Sequence, residues 1–195
     1  MIQIKSSDVV TITGIRGSGK SYFLKKLMAS NSCFLVYDVM QEHNNNGGVI
    51  VNNLKDLQYH LSKGHKKIVY RPISISTIEF DWICKAVYRM GNRTLIVEES
   101  NRVIESMKIT KGTSELIDLG RHRNVGLVCV TRRIAVLDKL PVSQSEHIIV
   151  FKTVLPNDIK YLKEFIGELA EKASELDGYK FIYHHNGNTV LHDPI

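Results

Sequence analysis

Eight residues, Gly14-Ile15-Arg16-Gly17-Ser18-Gly19-Lys20-Ser21, restrict this chain more than any other stretch of it. They follow a β-branched run from Asp8 to Thr13 and lead directly into Tyr22-Phe23-Leu24-Lys25-Lys26-Leu27-Met28. Strand, glycine-rich turn and helix, in that order, is the setting in which G-x-x-x-x-G-K-[ST] forms a phosphate cradle. Glycine lets the backbone curl until successive N–H groups face one anion. A helix beginning near Gly19 adds its positive end at the same spot. The pattern therefore assigns Gly14, Arg16, Gly17, Ser18, Gly19, Lys20, Ser21 and Tyr22 to nucleotide binding. Lys20 is expected to reach the β- and γ-phosphates of ATP, and the Ser21 hydroxyl to bind Mg²⁺.

At 195 residues the chain is read as a single domain over 1–195, large enough for a core without disulfides or structural metals. Cys33, Cys84 and Cys129 lie far apart in apolar segments, which predicts buried free thiols and a reducing compartment. No apolar run approaches the roughly 18 residues that span a bilayer, and no signal-peptide pattern opens the chain. A cytoplasmic location is expected. Charge is uneven: residues 1–152 carry 22 Lys and Arg against 13 Asp and Glu, and residues 153–195 carry 4 against 7. A basic body of this kind suits contact with a phosphate backbone.

Short apolar runs alternate with helical patterns along most of the chain. Strands are predicted at residues 33–38, 49–51, 67–72, 94–99, 126–131 and 147–153. Leu54, Leu57 and Leu61 keep helical spacing, as do Phe80, Ile83, Val87 and Met90. Residues 42–48 read as an exposed polar loop, residues 102–112 as a basic loop, and a helix is predicted around 114–120. Ile159, Leu162, Ile166, Leu169, Ala173 and Leu176 predict one or two amphipathic helices broken at Gly167. A closing hairpin is predicted from strands at 179–183 and 189–191 around Asn186-Gly187-Asn188. Fully apolar strands between helices mean an α/β fold, a mostly parallel sheet covered on both faces. The core spans about 8–155, with a C-terminal extension at about 156–195.

ATP hydrolysis needs a carboxylate near the metal and a second group to activate water. Glu98 and Glu99 end an apolar strand, and ligands of parallel sheets bind beyond the carboxyl ends of strands. Glu98 is assigned to the metal and Glu99 to the water. Thr131 and Arg132 end the next strand, where a side chain would sense the γ-phosphate; which of the two does so is open. Arg121 and Arg123 precede that strand and are candidate arginine fingers for a neighbouring subunit. Arg102, Lys108 and Lys111 are candidate DNA contacts. His184, His185 and His192 lack metal-ligand spacing, so no metal besides Mg²⁺ is expected.

With GIRGSGKS, LIVEES and GRHRNVGLVCVTRR in this order, the chain resembles the FtsK–HerA superfamily of RecA-like (ASCE) P-loop NTPases. It is most similar to the compact genome-packaging ATPases of membrane-containing icosahedral viruses. The resemblance covers roughly residues 8–155. It implies hydrolysis-driven translocation of double-stranded DNA by a homo-oligomeric ring, a hexamer being favoured, which docks on a capsid or portal vertex. That would place the protein in the host cytoplasm or at the virion vertex. Two positions depart from the family pattern: Glu98 stands where Asp is common, and Arg132 where the family has its sensor glutamine. Three other readings stay open on sequence: a plasmid or conjugative DNA-transfer ATPase, a P-loop small-molecule kinase, and a non-hydrolysing, nucleotide-gated DNA-binding subunit.

Overall fold

The computed structural model describes residues 2–44 and 47–194. Its strands are β1 (Val9–Thr13), β2 (Phe34–Tyr37), β3 (Val49–Val51), β4 (Lys67–Tyr70), β5 (Arg93–Val97), β6 (Val125–Thr131), β7 (His147–Val150), β8 (Phe181–His185) and β9 (Asn188–His192). Its α-helices are α1 (Lys20–Ser30), α2 (Leu54–Ser62), α3 (Thr77–Met90), α4 (Lys111–Leu119), α5 (Lys139–Ser143) and α6 (Pro156–Ile166). Among the described residues the strands form one sheet in the order β3-β4-β2-β5-β6-β1-β7-β8-β9. The first seven in this order run parallel, and β8 and β9 are added antiparallel.

Period-two alternation splits the strand side chains between the two faces. On β2, Leu35 and Tyr37 join one core cluster, while Phe34 and Val36 join the other. The first cluster takes in Leu57 and Leu61 of α2, Phe80, Ile83 and Val87 of α3, Leu116 of α4 and Leu162 of α6. The second packs against Phe23, Leu24 and Met28 of α1. A sheet covered on both faces needs apolar residues on both, and every residue of β1, β2, β5, β6 and β7 is buried. Arg93 is the charged member of this core. It donates to the carbonyls of His65 (2.7 Å), Lys66 (2.9 Å) and Phe34 (3.2 Å), tying the entries of three neighbouring strands together.

Five local expectations need correction. The basic stretch after β5 does not loop out throughout. Residues Ser100–Arg102 form a 3₁₀ turn, Val103 and Ile104 are buried, and Glu105 pairs with Leu137 in an isolated bridge. Two adjacent apolar residues suffice to pin that segment. Helix α4 starts at Lys111 rather than near 114, because the Thr110 side chain accepts from the Thr113 N–H and caps it. Strand β8 begins at Phe181, since Gly178 and Tyr179 both take left-handed backbone conformations and form a turn. The polar stretch 42–48 includes Asn45 and Asn46, which lie outside the described residues, but its His43 is buried. Cys84 and Cys129 are buried free thiols, whereas Cys33, just ahead of β2, is half-buried. The break at Gly167 is present: α6 ends there and a 3₁₀ stretch, Gly167–Ser174, follows.

Candidate nucleotide site

Parallel pairing of β1 with β6 and of β6 with β5 puts three strand ends on one edge of the sheet. The phosphate-loop sequence leaves β1 there, Glu98 and Glu99 leave β5, and Arg132 follows β6. The loop is tightly built. A Cβ on Gly14 would come within 2.7 Å of Phe151 Cβ and 2.8 Å of Ser18 Oγ, and one on Gly19 within 2.9 Å of the Phe151 ring. Gly17 and Gly19 also take positive φ, 76° and 114°. Among the described residues, no acceptor meets the N–H groups of Gly17, Gly19, Lys20 or Ser21. Orphan donors converging at the start of an eleven-residue helix are an anion cradle. Lys20 Nζ folds back to donate to the carbonyls of Gly14 (2.7 Å) and Ile15 (2.8 Å). Burial, followed by the Arg132 guanidinium, pulls the Lys20 ammonium down to about 8, against the nearby Glu99, Glu98 and Glu42 carboxylates.

Glu98 is buried, and its Oε1 lies 2.9 Å from His43 Nε2. His43 is itself held on both sides. Its N–H donates to Asp38 Oδ2 (3.1 Å), and its carbonyl accepts from Arg71 Nη2 (2.7 Å). Arg71 Nε in turn donates to the fully buried Asp38 at 3.3 Å. Glu99 adopts a left-handed backbone (φ 48°), and its Oε1 accepts from Arg132 Nε at 2.7 Å. Sparsely populated backbone states of this kind cluster at functional sites. Thr131 is buried, donates to Asn101 Oδ1 (2.9 Å) and accepts from the Arg133 N–H (3.1 Å). Of the two sensor candidates, only Arg132 has its head group on Glu99, the carboxylate assigned to the water. Arg133 points elsewhere, to Asp158 of α6 at 3.0 Å.

Two of the remaining candidates, Arg121 and Arg123, stay away from the cradle. Arg121 and Arg123 are exposed in the 3₁₀ turn before β6, at the opposite edge of the sheet. Arg123 Nη2 donates to the Arg89 carbonyl at 2.6 Å. Neither therefore completes the site of its own chain. Arg102, Lys108 and Lys111 are exposed, and Lys108 pairs with Glu105 at 2.9 Å. Arg16 is exposed at the loop tip, beside a shallow depression shared with Lys152 and Lys180.

Sequence reasoning picked out Tyr22 but did not find His43, Asn101 or the rest of the aromatic wall beside the loop. That wall, Tyr22, Phe151, Tyr179 and Phe181, bounds a cavity of about 550 Å³ that opens onto Gly19, Lys20 and Ser21. Its size and apolar lining suit a nucleoside. The donor set also fits Mg²⁺, a hard ion that takes oxygen ligands and keeps several waters. The Ser21 hydroxyl and the Glu98 carboxylate supply oxygen. No group of three or more His, Cys, Asp or Glu able to hold a metal occurs among the described residues.

No known sequence family matches the chain, and no curated protein is similar to it in sequence. Solved structures are similar to it. The genome packaging NTPase B204 from Sulfolobus turreted icosahedral virus 2, in complex with AMPPCP, has a TM-score of 0.83 and 25% identity, covering 98% of this chain and 100% of that one. The same protein in complex with ATP-gammaS also scores 0.83. VirB4 of Thermoanaerobacter pseudethanolicus shares the fold alone, at TM-score 0.59 and 10% identity over 93% of this chain and 87% of that one. The mostly parallel sheet, the phosphate loop and these neighbours are consistent with the FtsK–HerA superfamily of P-loop NTPases.

Proposed function

We propose that this protein is an Mg²⁺-dependent ATPase that drives double-stranded DNA, and that its task is to package a viral genome into a preformed capsid. One observation carries the catalytic part: Lys20, Glu98, Glu99 and Arg132 interact electrostatically around a glycine loop with orphan N–H donors. The loop and Lys20 hold the phosphates, and the aromatic cavity takes the nucleoside. Ser21 and Glu98 would hold Mg²⁺, which screens phosphate charge when bound. Glu99 orients and deprotonates the attacking water. A small-molecule kinase has no need of an acid that activates water, so Glu99 in that role favours hydrolysis over phosphate transfer to a small molecule. The genome-packaging neighbour, similar over nearly the whole of both chains, supports the packaging role. The basic balance of residues 1–152 supports contact with the DNA backbone.

A homo-oligomeric ring belongs to this reading: Arg121 and Arg123 are exposed and away from the cradle of their own chain, which supports a role toward a neighbour. The test is steady-state ATP hydrolysis with and without double-stranded DNA, in the wild type and in Glu99→Gln. Turnover raised by DNA, and lost in the variant while nucleotide binding persists, is the expected result. Absence of turnover in every assembly state would leave only a nucleotide-gated binding subunit. Phosphate transfer to a small acceptor would make the protein a kinase.

A further inference from the structure

We infer that this site selects its substrate by the phosphates and not by the base, because Tyr179 holds any of the four bases by stacking alone. The inference rests on the nucleotide reading above and widens the substrate class to nucleoside triphosphates irrespective of base. The cavity beside the phosphate loop has a volume of about 550 Å³, with Lys20 and Ser21 at its phosphate end. Its other side chains are five aromatic rings and Pro194. Phe23, Phe151 and Phe181 are buried and packed on one another, with ring centroids 5.4, 5.6 and 6.1 Å apart, so they form a fixed floor. No carboxylate, carboxamide or imidazole lines the cavity among the described residues. His192 stacks on the Phe181 ring at 5.3 Å, outside that lining. Reading a base edge takes donors and acceptors in fixed positions, and a site built with them rejects the wrong partner by about 10⁴- to 10⁵-fold. The side-chain polar groups at this end are the hydroxyls of Tyr22 and Tyr179, which both donate and accept and so favour no base.

Two rings of the wall are exposed, Tyr22 by 58% and Tyr179 by 63%. The Lys26 ammonium lies over the Tyr22 ring, 5.0 Å from its centroid. Among the described residues, no cation, second ring or side-chain hydrogen bond engages Tyr179. Its backbone is held at a cost. Gly178 and Tyr179 both take left-handed conformations, φ 53° and 64°, in a turn closed by the Lys180 N–H to the Asp177 carbonyl at 2.9 Å. Glycine takes that conformation freely, but a tyrosine there is strained, and such strain collects at ligand sites. The turn leads into β8, whose pairing with β7, itself beside β1, fixes it next to the phosphate loop. A Cβ on Gly19 would lie 3.4 Å from Tyr179 Cδ1, so the ring stands against the residue that precedes α1. A strained turn thus presents an unengaged aromatic ring at an apolar cavity beside the cradle. Every base has a π-face, so stacking on such a ring is tolerant of base identity.

Calorimetric titration with ADP, GDP, CDP, UDP and inorganic pyrophosphate, each with Mg²⁺, tests this in the wild type, Tyr179→Gly and Tyr179→Phe. The diphosphates carry the base and are not consumed by hydrolysis of a terminal phosphate. In the wild type the four affinities are expected to span less than about a hundredfold, within the reach of an apolar pocket, and all to exceed that of pyrophosphate. Tyr179→Gly, whose glycine suits the left-handed turn, is expected to weaken all four about tenfold, the worth of one base–aromatic stack, and to leave pyrophosphate unchanged. Tyr179→Phe keeps the ring and should recover wild-type affinity for all four. A wider span in the wild type, a loss in Tyr179→Gly confined to one base or shared by pyrophosphate, or a changed order of bases in Tyr179→Phe would overturn the inference. Nucleotides that bind no better than pyrophosphate would also overturn it, while leaving the phosphate cradle intact. Failure of the wild type to bind any of these ligands would instead overturn the nucleotide reading itself.

Discussion

His43 shows how much a single residue here depends on its frame. Its ring reaches Glu98, while its own backbone is held by Asp38 and Arg71, so the carboxylate assigned to the metal is oriented through a chain of buried bonds. Groups that orient a metal-side ligand typically matter 10- to 100-fold. His43→Ala is expected to raise the Mg²⁺ concentration needed for half-maximal turnover by about tenfold or more. Nucleotide binding measured without metal should stay unchanged, and His43→Gln, which keeps a donor near Glu98, should recover part of the loss. A Mg²⁺ titration of turnover beside metal-free binding separates this orienting role from general damage.

At the scale of elements, two contacts hold strands in place by means other than apolar packing. Arg93 is 3% exposed and donates to three carbonyls, with no carboxylate partner among the described residues. Burial lowers its pKa, yet guanidinium stays charged. Truncation in Arg93→Ala removes all three bonds at the entries of β2 and β4; the Lys66 carbonyl keeps the Phe34 N–H at 2.8 Å, and the guanidinium's bonds to the other two are lost. A loss of about 2–4 kcal/mol is expected in urea denaturation. The second contact docks β8 on β7. His147 lies 2.8 Å from the Tyr183 hydroxyl and 3.1 Å from Asp8 Oδ2, and its ring stacks on His185 with centroids 4.4 Å apart. Burial pulls the His147 pKa below 6.5; the His185 ring adds to this, and Asp8 and Glu146 oppose it. A histidine with a depressed folded pKa stabilises fully above 6.5. That stability drains away as pH falls from 6.5 to the folded value, because the unfolded chain binds the proton first. His184, lowered by burial and by His185, acts with the same sign. His147→Gln should therefore flatten the fall in stability below pH 6.5, read from denaturation curves at stepped pH.

For the whole molecule, the informative fact is the separation between the cradle and the proposed finger arginines. The cradle, Glu98, Glu99 and Arg132 lie at one edge of the sheet, and Arg121 and Arg123 lie at the other. If either arginine acts on a neighbour, mixing Arg121→Ala (or Arg123→Ala) subunits with Glu99→Gln subunits should restore part of the turnover that each lacks alone. Some sites would then pair an intact glutamate with an intact finger. Turnover that stays at the level of the inactive parents would exclude that arginine as the finger. The sheet itself extends past the expected core: β8 and β9 continue it, and Tyr179 and Phe181 beside them wall the cavity next to the phosphate loop.

Sequence alone determined whatever depends on local pattern. GIRGSGKS between a strand and a helix has few other uses, fully apolar runs such as Phe34–Tyr37 and Val125–Thr131 require a sheet covered on both faces, and paired acids after such a run fall at the edge where ligands bind. Tertiary structure decided what joins residues far apart in the chain. His43 meets Glu98 across 55 positions, and the polar run around it reads as solvent-facing because its burial comes from Asp38 and Arg71. Tyr179 and Phe181 come to the loop only because β8 pairs with β7, which lies beside β1. Whether Arg132 faced phosphate, solvent or Glu99 depended on strand register and one side-chain rotation, and neither leaves a mark on the order of the residues.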